Sequence, residues 1–243
     1  MQSIRCICAA VDRLHPFTNQ KGIIMQRKEE ILYKVHNNLY VNLTNKCPCA
    51  CTFCLRQTMD RVGESDSLWL DHEPSLEEVI EAFQGKNMDE YEEVVFCGFG
   101  EPTEAFPVLI EVADYIKKTY GKRIRLNTNG LGNLVNGRDI CPDLKGRIDE
   151  ISISLNTPDP EEYLKLVRPR FGIASHQAML DFAKEASQYV PAVILSTVDT
   201  TLSKEDEEKC AAICKELGVT YRIRPWEEGD KSQFIDQPTD SFL

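Results

Sequence analysis

The chain has 243 residues, of which 42% are hydrophobic and 28% are charged, and its formal net charge at pH 7 is −11. This length and composition fit one sizeable globular domain. An acidic chain argues against direct contact with nucleic acid, because phosphate binding needs a basic surface. No apolar run approaches the roughly 18 residues of a membrane span, and no stretch has the apolar core of a signal peptide. We therefore expect a cytoplasmic protein without a membrane anchor.

The two ends of the chain differ from its middle. Residues 1–24 show no convincing periodicity, and we interpret them as an N-terminal extension, disordered or added by a start codon assigned too early. The organised pattern occupies residues 25–226, which we predict to form a single domain. Residues 227–243 are polar and acidic and are predicted to be a loop-like tail.

Strand-like and helix-like segments alternate through the middle of the chain. Ser75 and Ser203 are predicted to cap two of the helices, Pro107 suits the first turn of another, and Asp159 opens a further helical region. This alternation predicts βαβ units and a parallel sheet with right-handed connections. Six segments have the composition of strands: 39–44, 93–97, 123–128, 150–156, 192–198 and 219–224.

Several of these strands carry one polar face. In segment 150–156, Ser152, Ser154 and Asn156 alternate with three apolar residues, and segments 39–44, 123–128 and 219–224 alternate in the same way. A flat parallel sheet covered by helices on both sides should be apolar on both faces. Ordinary closed barrels also fill their lumen with apolar side chains. We therefore predict an α/β fold, a partial (β/α)6 TIM-like barrel whose polar lumen holds a ligand.

Four of the ten cysteines lie within eight residues, directly after the first predicted strand. Cys47, Cys51 and Cys54 have the spacing C-x3-C-x2-C, and three thiolates so placed can hold three irons of a cubane cluster and leave the fourth iron open. Thiolates also bind zinc, and Cys49 could complete a tetrahedral site. Zinc ligands usually come from two separated pairs, so this alternative is less favoured but stays open.

This loop, with Phe53 just before the third cysteine, resembles the cluster loop of the radical S-adenosylmethionine (SAM) superfamily. The resemblance extends from about residue 38 to residue 226. It implies a [4Fe-4S] cluster on Cys47, Cys51 and Cys54, with SAM bound at the open iron. It also implies reductive cleavage of SAM, hydrogen abstraction from a substrate, and an electron donor of the flavodoxin or ferredoxin type.

Further segments resemble the family's SAM-binding motifs, one after each successive strand. Gly98-Phe99-Gly100-Glu101 is similar to the Gly-Gly-Glu motif that receives the SAM amino group, although Phe99 stands where the first glycine often lies. The resemblance implies that Arg168 contacts the SAM carboxylate. The other residues that it implies as SAM contacts are Phe53, Asn127, Asn129, Ser152, Ser154, Asn156, Thr197 and Asp199.

Within the superfamily, the sequence around the cysteines looks most like the radical SAM proteins associated with TatD-family nucleases, which implies such a nuclease as a partner. A glycyl-radical-enzyme activase or an enzyme similar to 7-carboxy-7-deazaguanine synthase is the alternative. Two non-enzymes also remain: a zinc-binding module, and a SAM-binding partner of a TatD-type nuclease. The reaction would be of the oxidoreductase or lyase type.

Arginines near the predicted strand ends suggest a small anionic substrate. Arg125, Arg222 and Arg224 lie on predicted polar faces, and Arg56 follows the cysteine loop. Arginines that are solvated or paired at the surface would fit the sequence equally well.

Overall fold

The computed structural model describes residues 30–63 and 65–225. The predicted extension 1–24 and the predicted tail 227–243 lie outside the described residues, as do both ends of the predicted domain 25–226. Among the described helices, none combines the length and the hydrophobicity needed to cross a membrane.

The structure contains one seven-stranded sheet whose strands follow each other in chain order. β1 is antiparallel to β2, and the strands from β2 to β7 are parallel. The sheet does not close, so the prediction of an α/β partial barrel is confirmed. The strands are β1 Leu32–Val35, β2 Asn38–Val41, β3 Glu93–Phe96, β4 Arg123–Thr128, β5 Glu150–Ser154, β6 Ala192–Val198 and β7 Thr220–Arg224.

The first strand, β1, is missing from the prediction of six strands. It forms a hairpin with β2 through a two-residue turn, in which His36 adopts a left-handed φ of 51°. Hairpin turns favour glycine or asparagine at such positions, and His36 carries only a weak signal of this kind. The hairpin adds an antiparallel strand at the edge of an otherwise parallel sheet.

Six helices connect the strands, and their ends follow the predicted signals. The Ser75 hydroxyl accepts from the backbone of Glu78 in a capping box, and Ser203 caps the last helix in a similar way. Asp159 caps the fourth helix. The helices are α1 Leu76–Phe83, α2 Phe106–Tyr120, α3 Gly132–Asn136, α4 Pro160–Val167, α5 Ala174–Ala186 and α6 Lys204–Leu217.

The helices pack on one face of the sheet and bury its apolar side chains. Leu126 of β4, Ile153 of β5 and Leu195 of β6 are fully buried in this core. Neighbouring residues on each strand point to the opposite face, because side chains alternate along a strand. That opposite face, which we call the lumen face, carries the polar residues that were predicted to line the barrel.

Candidate functional site

The cysteine loop follows β2 and lies at the carboxyl edge of the parallel strands, where such folds place their chemistry. Backbone hydrogen bonds fasten it to the end of α4. The Ala50 amide donates to the Val167 carbonyl over 3.1 Å, and the Thr52 amide donates to the Leu166 carbonyl over 2.8 Å. The loop is therefore held in place by a distant helix as well as by its own strand.

Three thiols of the loop interact directly with one another. Cys49 is buried and lies between Cys47 and Cys51. A hydrogen bond with the Cys49 thiol lowers the pKa of both Cys47 and Cys51, while its bonds to these two residues raise the pKa of Cys49 itself. Burial raises the pKa of the Cys54 thiol.

The donor set fits an iron–sulfur cluster. Cys47, Cys51 and Cys54 are all free and partly accessible, and each thiolate of a cubane cluster holds a different iron. Thiolates are also zinc ligands, and Cys49 lies on the same loop.

The glycine-rich turn after β3 packs directly on the start of the cysteine loop. A Cβ atom on Gly100 would lie 2.1 Å from the carbonyl oxygen of Thr44 and 2.7 Å from that of Lys46. The Glu101 amide donates to the same Lys46 carbonyl over 2.8 Å. A Cβ atom on Gly98 would lie 2.1 Å from the amide oxygen of the Asn42 side chain. Both glycines are therefore needed for close packing of the two loops.

The Glu101 side chain joins the turn after β3 to the end of β4. It is 4% exposed and accepts hydrogen bonds from the amide and hydroxyl of Thr103, the hydroxyl of Thr128 and the amide of Asn129, over 2.7–3.1 Å. Burial nevertheless raises its pKa. Oε1 accepts three of these bonds and Oε2 accepts one, so Oε2 keeps acceptor capacity for the ammonium group that the resemblance implies.

Phe99 and Arg56 also serve the architecture of the loops. Phe99 is buried, with its ring edge-on to Trp69 at a centroid distance of 5.2 Å. Arg56 donates to the carbonyl oxygens of Phe99, Asn45 and Cys49 over 3.2–3.4 Å. Its guanidinium braces the cysteine loop, and its place in a substrate pocket stays a prediction.

Asn129, at the end of β4, reaches the thiols. Its side-chain nitrogen lies 3.6 Å from the sulfur of Cys49 and 3.9 Å from that of Cys47. Asn127 lies two residues earlier on the lumen face, and its side-chain oxygen accepts from Arg125 over 3.3 Å. The structure thus places the predicted Asn127 and Asn129 on the path from the lumen to the cysteines.

The end of β5 is polar as predicted. Ser152 and Ser154 lie on the lumen face, opposite the core side chains of the same strand. Asn156 follows with a left-handed φ of 65°, and its backbone N–H donates to the Ser196 carbonyl over 3.4 Å. Left-handed backbone is costly for residues other than glycine and is often found at functional sites.

The predictions for β6 and its end need correction. Thr197 lies on the helix side of the sheet, where its hydroxyl bonds that of Tyr221 over 2.8 Å. Ser196, which the sequence analysis did not select, occupies the lumen face and pairs in register with Ser154. Asp199 lies in an exposed turn, and its carboxylate accepts from the Thr200 amide. The alternation that placed Ser154 in the lumen could have identified Ser196.

Two of the arginines expected to bind an anionic substrate are ion-paired. Arg125 pairs with Glu93 at 2.8 Å, and Arg222 pairs with Glu150 at 3.3 Å. Arg123 also pairs with Glu150. The partners are the first residues of β3 and β5, and parallel pairing brings these acids beside arginines that are far away in sequence. The bottom of the lumen face is therefore a charge network, as in the paired alternative that the sequence left open for Arg125 and Arg222. Their contact with a substrate stays a prediction.

Three other predicted residues are solvent-facing. Arg224, on the lumen face of the edge strand β7, and Arg168, in left-handed conformation at the end of α4, are exposed. Neither side chain forms an ion pair or hydrogen bond with another described residue. Phe53, on the cysteine loop, is 54% exposed.

Comparison with known proteins agrees with this geometry. The Radical SAM superfamily model matches residues 41–217. The curated GTP 3′,8-cyclase of Rhizobium etli is 26% identical over 134 residues, which cover 54% of this chain and 35% of that protein.

Solved structures show the same fold. Streptococcus suis SuiB bound to the precursor peptide SuiA has a TM-score of 0.56 at 16% identity, over 84% of this chain and 42% of that one. SuiB bound to S-adenosylmethionine has a TM-score of 0.51 at 17% identity, over 79% of this chain and 39% of that one. The chain thus spans less than half the length of these proteins. It belongs to the radical SAM superfamily, whose members use a [4Fe-4S] cluster and SAM and need a reductant such as flavodoxin or ferredoxin.

Proposed function

We propose that this chain holds a [4Fe-4S] cluster on Cys47, Cys51 and Cys54 and cleaves SAM reductively to start a radical reaction on a substrate bound at the lumen face. One observation carries the proposal. The three thiols lie on a loop fastened both to α4 and to the glycine turn, at the carboxyl edge of a partial barrel. When bound on these cysteines, the cluster would supply the electron for reductive cleavage of SAM, the chemistry from which hydrogen abstraction starts.

The residues of this chain position the reacting groups. Asn129 lies beside the thiols and can orient SAM next to them, and Ser154, Asn156 and Ser196 supply hydroxyl, amide and backbone groups at the neighbouring strand ends. Glu101 fixes the backbone of Asn129 through Oε2. The remaining capacity of Oε2 and the backbone of the turn that precedes Glu101 are the parts of the motif available to the SAM amino group.

A small anionic substrate remains the proposed class, and Arg123 joins the arginines that support it. The charge network contains three arginines, Arg123, Arg125 and Arg222, and two carboxylates, Glu93 and Glu150, so its net charge is +1 in a chain of −11. The exposed Arg224 adds a cation to the same face of the sheet. The name of the curated relative, GTP 3′,8-cyclase, also points to an anionic small molecule. This polarity favours a small molecule over the glycine backbone that an activase would need.

The proposed partners follow from the chemistry and from the resemblance. A flavodoxin or ferredoxin would deliver the electron, and a TatD-family nuclease would be the partner if the chain belongs to the group associated with such nucleases. The exposed Phe53 on the cysteine loop gives a protein partner an apolar contact close to the cluster.

Anaerobic reconstitution tests the proposal. We expect iron and sulfide to bind to the wild type, and reduction in the presence of SAM to release 5′-deoxyadenosine. Cys47→Ala, Cys51→Ala and Cys54→Ala should lose the cluster, whereas Cys49→Ala should retain it as the matched control on the same loop.

Three results would contradict the proposal in different ways. Zinc without iron would favour the zinc-binding module. A cluster that binds SAM without cleaving it would favour the SAM-binding partner of a nuclease. Loss of the cluster in Cys49→Ala, with retention in Cys54→Ala, would show that Cys49 is a cluster ligand and Cys54 is not.

A further inference from the structure

Tyr163, on α4, carries a buried hydroxyl without a partner. The residue is 1% exposed, and its hydroxyl forms no hydrogen bond with the part of the chain that the structure describes. Buried polar atoms are almost always hydrogen-bonded, and an unpaired hydroxyl destabilises the folded state. Such an atom therefore points to a partner that binds later.

The position of this hydroxyl identifies the site that it faces. Tyr163 lies one helical turn before Val167, whose carbonyl accepts from Ala50 of the cysteine loop. Burial raises the pKa of Tyr163 most, and the nearby thiols of Cys49 and Cys51 raise it further. Tyr163 and Cys49 belong to the same buried core cluster, so the hydroxyl is buried in the same part of the core as the cysteine loop.

The ring itself is held in place. His176 of α5 packs edge-on against it with a centroid distance of 5.3 Å, and the imidazole is fixed by a 3.2 Å hydrogen bond to the Thr157 carbonyl. Both residues are buried. Because Tyr163 cannot swing toward solvent without breaking this packing, its hydroxyl needs an acceptor on the side of the cysteine loop.

Cluster binding would add sulfur acceptors beside the cysteine loop. In the described structure, Oε1 of Glu101 already accepts from three donors and Oε2 accepts from the Asn129 amide. The Cys49 thiol is engaged with Cys47 and Cys51. Cluster ligation turns thiols into thiolates and adds sulfides, and both are acceptors for an O–H donor.

We propose that the Tyr163 hydroxyl donates a hydrogen bond to a sulfur of the bound cluster and thereby raises its reduction potential. This inference rests on the proposed function. The reduced cluster carries one more negative charge than the oxidised cluster, so a hydrogen bond to its sulfur stabilises the reduced form more. Hydrogen bonds to sulfur are among the factors that set the potentials of such clusters.

The test compares Tyr163→Phe, which removes only the hydroxyl, with Tyr115→Phe on α2. The Tyr115 hydroxyl bonds that of Tyr120 over 3.1 Å, in a cluster of aromatic rings away from the cysteines. Wild type and both variants are reconstituted anaerobically, analysed for iron and sulfide, and titrated with a reductant while the reduced cluster is followed by electron paramagnetic resonance. The urea midpoint of each protein without cluster is measured in parallel.

We expect Tyr163→Phe to bind the same iron and sulfide as the wild type, with a lower potential. A tenfold fall in the equilibrium constant for one-electron reduction corresponds to 59 mV, and a shift of about this size is expected. Without the cluster, Tyr163→Phe should be as stable as the wild type or more stable, because it lacks an unpaired hydroxyl. Tyr115→Phe should leave the potential unchanged.

The outcomes separate this inference from the proposed function. Absence of a cluster from the wild type would overturn both. A cluster with the same potential in the wild type and Tyr163→Phe would overturn this inference alone, as would an equal shift in Tyr115→Phe. A clear loss of stability in cluster-free Tyr163→Phe would also overturn it, because the hydroxyl would then already have a partner.

Discussion

Replacement of Gly100 by alanine tests how the glycine turn supports the cysteine loop. The added Cβ atom would lie 2.1 Å from the Thr44 carbonyl oxygen, whereas ordinary contact begins at 3.4 Å, so about 1.3 Å of overlap must be relieved. The obstacle is backbone, and no side-chain rotation removes it. Overpacking of this kind costs about 1–3 kcal/mol, and separation of the loops also breaks the bond from Glu101 to Lys46, worth about 1 kcal/mol. We expect the free energy of unfolding to fall by about 3 kcal/mol.

Urea unfolding of the cluster-free protein measures this change, and iron content after reconstitution reports the geometry of the loop. Gly121→Ala is the control, because Gly121 has a left-handed φ of 62° but no atom within 4 Å of an added Cβ. Gly121→Ala should lower the free energy of unfolding by about 1–2 kcal/mol through backbone strain and leave cluster binding intact. If Gly100→Ala is as stable as the wild type and binds the same iron, the turn does not brace the loop and the reasoning fails.

Two further predictions concern buried charge. Because burial raises the pKa of Glu101 above 4.5, the folded state binds this proton more readily than the unfolded state. The stabilisation of the folded state by this proton is complete below the unfolded-state pKa of about 4.3, and it is lost as pH rises through the folded-state pKa. The wild type should therefore gain stability relative to Glu101→Gln as pH falls from 7 toward 4.5 in urea titrations, and a gain in the opposite direction would contradict this. Arg125→Gln should cost about 2–3 kcal/mol, because it leaves Glu93 with only the longer, 3.8 Å ion pair to Arg123. Arg224→Gln should change stability by less than about 0.5 kcal/mol in the same assay. Equal costs would contradict the assignment of Arg125 to the fold.

Local signals in the sequence were sufficient to predict most elements. The capping serines, the alternating strand faces and the order of strands and helices all depend on residues within a few positions of each other. The β1 hairpin escaped prediction because His36, at its turn, is a residue that seldom marks a left-handed conformation. The candidate cluster ligands were identifiable for the same reason as the helices, since Cys47, Cys51 and Cys54 lie on one short loop.

Roles that depend on partners distant in sequence could not be predicted. Glu101 was expected to face an ammonium group, and its hydrogen bonds from the end of β4, from the Thr128 hydroxyl and the Asn129 amide, could not be foreseen. Arg125 and Arg222 were expected to face a substrate, but strand register sets them beside the acidic first residues of β3 and β5. The sequence records that these residues are charged, while their neighbours depend on pairing across the sheet.

The sequence by itself determined the family, the parallel α/β architecture and the loop that carries the three cysteines. Spacing, alternation and capping are local properties, and they survive in a single sequence. Only the tertiary structure decided which polar groups are already satisfied and which are not. It assigned Glu101 and Arg56 to the scaffold and left the hydroxyl of Tyr163 without an acceptor, because hydrogen-bond satisfaction depends on atoms that folding brings together from distant parts of the chain.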